Sequence, residues 1–355
     1  MNRRGIARAV AVVLAVLLVL VGVSVTRSLT AAGTDSAGAR LAEWARGHGL
    51  STVVDKAERA TYRGPKVGGA PPGTSPLRSV AATPPSTLAP LRPFATPALP
   101  GEGSWHVLAS SGGAPVLQVA YLRPDATHTS YTAAVAWMDT SRLRFTLHPG
   151  TQEPGHGPWP VSSSISAGER PSLLAAFNGG FRMDAARGGW LEGGRTVGHL
   201  RVGAASLVIL PNGHATVGQW GRDVGPGTGA TAVRQNLDLL VDHGAPAAGL
   251  AGNSRGKWGK TVGNRLYVWR SGVGVTSAGG LVYVSGDRLS ATTLAALLAR
   301  AGCVRAMELD INRSWTSFVV YRGSSERNLL PDMRRSPQRY DTTSTRDFVT
   351  VSVAA

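Results

Sequence analysis

Glu308 and Asp310 stand two residues apart at the end of a short, mostly apolar run, Cys303 to Leu309, that continues into Asp310-Ile311-Asn312-Arg313-Ser314-Trp315. Such a run suits a strand in the core of a sheet. Side-chain alternation then puts Glu308 and Asp310 on one face and Met307 and Leu309 on the other. The strand rise alone separates the two carboxylate-bearing Cβ atoms by roughly 6–7 Å. A pair so spaced can supply both a general acid and a base. Carboxylates at a strand end are costly to desolvate unless they are paired or used. Asn312, Ser314 and Trp315 add polar groups beside an aromatic surface, which suits a sugar. The other reading of these residues is architectural: Asp310 caps a turn, and Glu308 pairs with an arginine at the sheet surface.

Two further stretches carry chemistry. Asn178-Gly179-Gly180-Phe181 follows the strand-like run Leu173 to Phe177. Consecutive glycines there let the backbone turn its N–H groups toward an anion, or make a plain turn. Arg270, in Trp269-Arg270-Ser271-Gly272, can grip a phosphate through two parallel hydrogen bonds or pair with a neighbouring acid. Asp184 and Glu192, in the glycine-rich stretch after Phe181, are alternative acids, and His199 is a candidate proton shuttle. Gly259-Lys260-Thr261 resembles the end of a phosphate loop. However, Ser254 stands where that loop needs glycine, and no clear strand precedes it, so a nucleotide site is not expected. No Gly-x-Ser-x-Gly elbow occurs. The eight histidines lack ligand-like spacing. Cys303 is the single cysteine, which excludes an intramolecular disulfide and reads as a small buried hydrophobe. No cofactor is expected, and a divalent cation held by Asp310 and its neighbours stays open.

The elements that must position these residues are short. Ser290 can cap a helix over Ser290 to Ala301 whose Leu294, Leu297 and Leu298 share one face, with Gly302 after its end. Pro211-Asn212-Gly213-His214 between Leu207–Leu210 and Ala215–Gln219 signals a hairpin. Strands are expected at Trp105–Leu108, Val116–Leu122, Tyr131–Met138, Leu143–Leu147, Gln235–Val241, Leu266–Arg270, Leu281–Ser285 and Asp347–Val353. With 45 glycines favouring tight turns, the fold class is α+β: a mixed, twisted sheet of many short strands and hairpins with few flanking helices, preceded by one transmembrane helix.

That transmembrane helix is Ala9 to Val25, nearly unbroken in apolar residues and preceded by Arg3, Arg4 and Arg8. It is long enough to cross a bilayer. The arginines keep its N-terminus cytoplasmic and place the remainder outside. Leu29-Thr30-Ala31-Ala32-Gly33 is a weak cleavage signal, and an uncleaved anchor is the favoured reading. The organisation expected is an anchor over 1–27, a juxtamembrane helical segment over 28–63, a proline-rich linker over 64–100 and a catalytic or binding domain over 101–355. Net charge is +16, with 33 of the 37 basic residues arginine. No basic run of the nucleic-acid kind follows the membrane segment, so the partners expected are anionic wall polymers and the membrane, not nucleic acid.

In order, Asn-Gly-Gly-Phe (178–181), Arg-Gln-Asn-Leu-Asp-Leu-Leu-Val-Asp-His-Gly (234–244), Trp-Arg-Ser-Gly-Val-Gly-Val-Thr (269–276) and a helix followed by a strand ending at Asp310 resemble the phosphodiester glycosidase family over roughly residues 101–355. The family's usual Asp-Gly-Gly-Gly-Ser is here Asp310-Ile311-Asn312-Arg313-Ser314, which keeps the ends and replaces the glycines, as in a divergent, membrane-tethered branch. The resemblance implies hydrolysis of a sugar 1-phosphodiester, and with the expected membrane anchor the substrate expected is a cell-envelope glycan. Asn178, Gly179, Gly180, Arg270, Gly272, Asn312 and Ser314 would hold the substrate and its phosphate. Asp310 and Glu308 would stabilise an oxocarbenium-like centre and activate water. The alternative is a non-catalytic module of the same fold that binds anionic wall polysaccharide.

Overall fold

The computed structural model describes residues 3–30, 36–78, 86–253, 256–261 and 265–354. The chain divides into two compact units, Met1–Tyr62 and Arg63–Ala355. The first begins with the helix Arg3–Thr30, in which Ala11–Thr30 is long and apolar enough to cross a membrane. Ala31, Ala32 and Gly33 of the cleavage signal lie outside the described residues. The helical segment beyond is two helices, Ala37–Gly47 and Ser51–Thr61. Gly49, at φ 77° between them, supplies a backbone angle that few other residues accept.

The second unit has the α+β character expected, built as three sheets whose ladders are all antiparallel. The largest runs in the order Trp105–Ser111, Ala114–Leu122, Ala133–Met138, Leu281–Leu289, Val268–Thr276, Cys303–Glu308, Leu239–Asp242, Ala245–Pro246. A second runs Arg195–Val197, Trp190–Glu192, Ala232–Gln235, Ala205–Ile209, Ala215–Gln219. The third runs Ser325–Asn328, Phe318–Arg322, Leu173–Asn178, Phe348–Val353, Leu143–His148. Each sheet buries one face against the others. Phe177, Tyr283, Met307 and Phe318, all fully buried, meet in the shared core.

The helix Ala291–Arg300 lies on the outer face of the large sheet. Ser290 caps it by accepting the Thr293 N–H at 3.0 Å. Its Leu294, Leu297 and Leu298 pack with Val241, Val282, Val284, Cys303 and Ala306. Gly272 makes that contact close: a Cβ there would lie 3.1 Å from Leu298 and 3.2 Å from Leu294. Cys303 is the buried hydrophobe expected, its thiol pKa raised by burial.

Two expectations give way. Gln235 to Val241 is not one strand, because Leu237 takes φ 60° and carries the chain from Ala232–Gln235 in one sheet to Leu239–Asp242 in another. Nor is 64–100 a free spacer. Leu77, Leu91 and Ala95 are buried, the Leu91 N–H donates to Gly103 O at 2.9 Å, and Arg123 donates to the carbonyls of Ala95 and Pro97 at 3.1 and 2.6 Å. Proline removes backbone donors without hindering such packing, so composition alone mimicked a linker.

Candidate active site

Strand ends from all three sheets converge near Asp310, and a continuous polar network joins them. Asn178 closes Leu173–Asn178, and every hydrogen-bonding direction of its side chain is used. Its amide donates to Gly179 O at 2.9 Å and to Ser271 Oγ at 3.0 Å, and its oxygen accepts the Tyr283 hydroxyl at 2.9 Å and the Ser317 N–H at 3.0 Å. Ser271 in turn fixes the backbone of Asp310, whose N–H donates to Ser271 Oγ at 3.2 Å and whose carbonyl accepts the Ser271 N–H at 2.8 Å. Asp310 Oδ1 accepts the Asn312 N–H at 2.9 Å, and Oδ2 accepts Arg346 Nη2 at 3.3 Å. Thus Asp310 does cap a turn, and it also holds an arginine.

The Asn178-Gly179-Gly180 turn has an anionic guest, supplied by the protein itself. Gly179 N–H donates to Asp347 O at 2.9 Å and Gly180 N–H to Asp347 Oδ2 at 3.3 Å. A Cβ on Gly179 would overlap the Asp347 carboxylate, which is why glycine stands there. Arg234, wholly buried, donates to Asp347 from Nε at 2.9 Å, to Gln235 O at 2.9 Å and to Phe181 O. The backbone N–H groups expected to face a ligand are therefore taken.

Asn312 and Ser314 are likewise engaged in the turn. Asn312 Oδ1 accepts the Ser314 N–H at 2.8 Å, and its carbonyl accepts Trp315 and Thr316 N–H groups, both at 2.9 Å. Trp315 is buried among guanidinium groups: Arg335, Arg346 and Arg339 lie 4.9, 5.0 and 5.6 Å from its ring. Burial, with Arg339 alongside, brings the Arg335 pKa down to about 9.

Glu308 and Arg270 form a second, different assembly on the helix side of the large sheet. Arg270 Nη1 donates to Glu308 Oε1 and Nε donates to Leu289 O at 2.9 Å. The pairing foreseen as the architectural reading is present, but it lies in the interior rather than at the sheet surface: Glu308 has no exposure and Arg270 has 2%. Glu308 Oε2 is buried with no hydrogen-bond partner among the described residues. Burial raises the Glu308 pKa to about 7 against the pull of Arg270, and the Asp310 charge adds to the rise.

Arg270 also lines a cavity of ≈ 450 Å³ whose ionisable walls, Lys260, Arg265 and Arg270, are all basic. Ala291, first residue of the helix Ala291–Arg300, lines it too, so the positive end of that helix adds to the field. Asn253 and Thr261 complete its polar wall. Lys260 and Arg265 are absent from the sequence candidates. The signal was in view in the Gly259-Lys260-Thr261 stretch, of which Lys260 and Thr261 line the cavity without forming a phosphate loop. Gly272 packs the helix, Asp184 is exposed beside Arg182, and His199 is exposed. Glu192 is buried in the second sheet with its pKa raised to about 8 by burial.

No family model matches this chain, and no curated protein does. Among solved structures it is similar to the catalytic domain of zebrafish N-acetylglucosamine-1-phosphodiester alpha-N-acetylglucosaminidase, auto-inhibited by its pro-peptide, at 15% identity and TM-score 0.45, over 71% of this chain and 88% of that one. A hypothetical protein from Synechocystis is similar at 14% identity and TM-score 0.40, over 68% of this chain and 63% of that one.

Proposed function

We propose that the second unit is an extracytoplasmic hydrolase of sugar 1-phosphodiesters in cell-envelope glycans, held at the cell membrane by the helix Arg3–Thr30. The observation that carries this is the all-basic cavity joined through Arg270 to a carboxyl group whose pKa is raised to about 7. The phosphodiester binds in the cavity, its oxygens facing Arg270, Arg265, Lys260 and the helix N-terminus. A water oxygen bonds to the anomeric carbon as the bond from that carbon to the phosphate oxygen breaks. The water's proton passes to ionised Glu308, which the cavity reaches only when the Arg270–Glu308 pair parts, and the electron pair of the broken bond leaves with the phosphate monoester. A phosphate leaving group is stabilised by the guanidinium groups, so the chemistry asks most of the base and of positive charge. Asp310, fixed by Ser271 and Arg346, supplies negative charge at the strand end as the sugar becomes oxocarbenium-like.

One observation favours the second reading, a non-catalytic binder of anionic wall polymer: both carboxylate oxygens of Asp310 and all of Asn178 are engaged inside the protein. The experiment that separates the two incubates the full chain with a panel of sugar 1-phosphodiesters, with and without chelator, and follows free sugar. Turnover that disappears in a folded Asp310→Asn variant establishes the hydrolase, and the chelator arm decides whether a divalent cation takes part. No turnover on any member, together with binding of anionic wall polymer, establishes the binder.

A further inference from the structure

In the first unit, the helix Ala37–Gly47 turns back along the helix Arg3–Thr30. Arg40 Nη1 donates to Leu29 O at 2.8 Å and Ser28 Oγ to Arg40 O at 3.3 Å, while Trp44 Nε1, one turn further along, donates to Ser24 Oγ at 2.9 Å. Rising numbers on one helix meet falling numbers on the other, so the two run antiparallel. Arg40 thereby satisfies one of the carbonyls that a helix end leaves without an internal partner. His48 stacks on Trp44 with ring centres 4.5 Å apart, and its Nε2 lies 3.4 Å from the same Ser24 Oγ.

This contact divides the long helix in two. Residues 11–23 are all exposed, as lipid-facing side chains are, whereas Ser24, Val25 and Ser28 are half-buried beneath the returning helix. Arg40, Glu43 and Arg46 on that helix stand beside the upper part, where Arg27 is exposed. Hydrocarbon does not accommodate so many charges. Residues 5–23 remain to cross it, about 28 Å of helix against an apolar layer of about 30 Å. Arg8, near the far end, reaches back to the opposite surface along its own stem. The bilayer boundary therefore falls near Ser24 rather than at Thr30. Because the returning helix heads toward that boundary, the turn at residues 48–50 meets the lipid first. It presents Leu50, 42% exposed, and Val53, in the first turn of Ser51–Thr61 and 59% exposed. Lone exposed apolar residues are ordinary elsewhere, but these continue the apolar surface of the span. Arg40, Arg46 and Lys56 outnumber Glu43 and Asp55 around them, which suits anionic headgroups.

We infer that the turn at residues 48–50 is a lipid-binding tip. Leu50 and Val53 enter the phospholipid interface of the leaflet at the C-terminal end of the span, Trp44 and His48 lie at headgroup level, and the span itself is residues 5–23. This rests on the membrane-anchor part of the function proposed above and is independent of the hydrolase part. The test places the full chain, in a Cys303→Ala background, in nanodiscs of phosphatidylcholine and phosphatidylglycerol. A fluorophore is attached at Leu18→Cys, Thr30→Cys, Leu50→Cys or Val53→Cys, all exposed positions where packing is not at stake. Lipid carrying a nitroxide at its headgroup quenches the Leu50 and Val53 labels more than the Thr30 label, iodide in the water quenches them less, and a nitroxide deep in the acyl chains reaches Leu18. Leu50 and Val53 labels as open to iodide as the Thr30 label, with Leu18 still in lipid, overturn the tip and spare the anchor. A Thr30 label quenched by the headgroup nitroxide as strongly as Leu50 overturns it too, because the span would then end at Thr30. A Leu18 label open to iodide removes anchor and tip together.

Discussion

Arg234 and Arg270 each meet a carboxylate in the interior of the same unit, and their surroundings differ. Arg234 and Asp347 have no side-chain exposure, and Asp347 is further held by Gly180 N–H while Arg234 spends its remaining groups on Gln235 O and Phe181 O. Arg270 and Glu308 are almost as deeply placed, but Glu308 keeps one oxygen without a partner among the described residues, and Arg270 borders an open space walled by cations. The first pair is closed on every side and can only hold sheets together. The second has one side open and a carboxyl group close to its point of half-ionisation. Two similarly buried arginine–carboxylate pairs therefore yield an anchor in one place and a candidate reaction centre in the other.

Substitution separates the two pairs. Glu308→Gln, nearly isosteric, is expected to cut turnover of a sugar 1-phosphodiester by about 10²–10⁴-fold in steady-state assays. Unchanged turnover would make this pair as inert as its counterpart. Arg234→Met leaves Asp347 charged and uncompensated, and the expected loss of about 3–5 kcal/mol appears in denaturant unfolding. A loss below about 1 kcal/mol would refute its role as an anchor.

Proton linkage sharpens the contrast. Glu308 has a folded pKa raised from the ordinary 4.5 to about 7, so the folded protein binds more protons there than the unfolded chain between those values. Its contribution is most favourable below pH 4.5 and declines as the pH rises to about 7, a total of roughly 3 kcal/mol. Comparing wild type with Glu308→Gln in urea at several pH values isolates this slope, and parallel curves would exclude it. Turnover moves the opposite way, rising toward pH 7 as the base ionises. The smallest effects belong to the cavity wall: Lys260→Ala and Arg265→Ala are each expected to raise KM by roughly fivefold with kcat little altered.

Much of this was legible in the chain. The helix Ala291–Arg300, its Ser290 cap and the strand reaching Glu308 follow from local periodicity and capping. So does the apolar N-terminal helix. The network that fixes Asp310 was not legible, because Arg346, Asp347, Asn236 and Ser271 reach it through pairings far apart in sequence. The Asn236 amide, for example, donates to Glu308 O at 2.6 Å and to Leu309 O at 2.9 Å, across more than seventy residues. The Asn-Gly-Gly turn shows the limit most clearly. Its composition announces a place for an anion, and only the fold reveals that Asp347 occupies it. The proline-rich stretch misled in the other direction, since composition reports the lack of backbone donors and says nothing of Leu77 or Leu91.

Those buried leucines change what cutting the chain would accomplish. A protease that cuts just after Pro97 breaks a peptide bond without releasing a trimmed domain. The severed stretch stays bound through Leu91, Ala95 and the Arg123 contacts to Ala95 and Pro97. Release of the remainder is then governed by dissociation of this strap as well as by cleavage, and a recombinant fragment begun at residue 101 would lack part of its own wall.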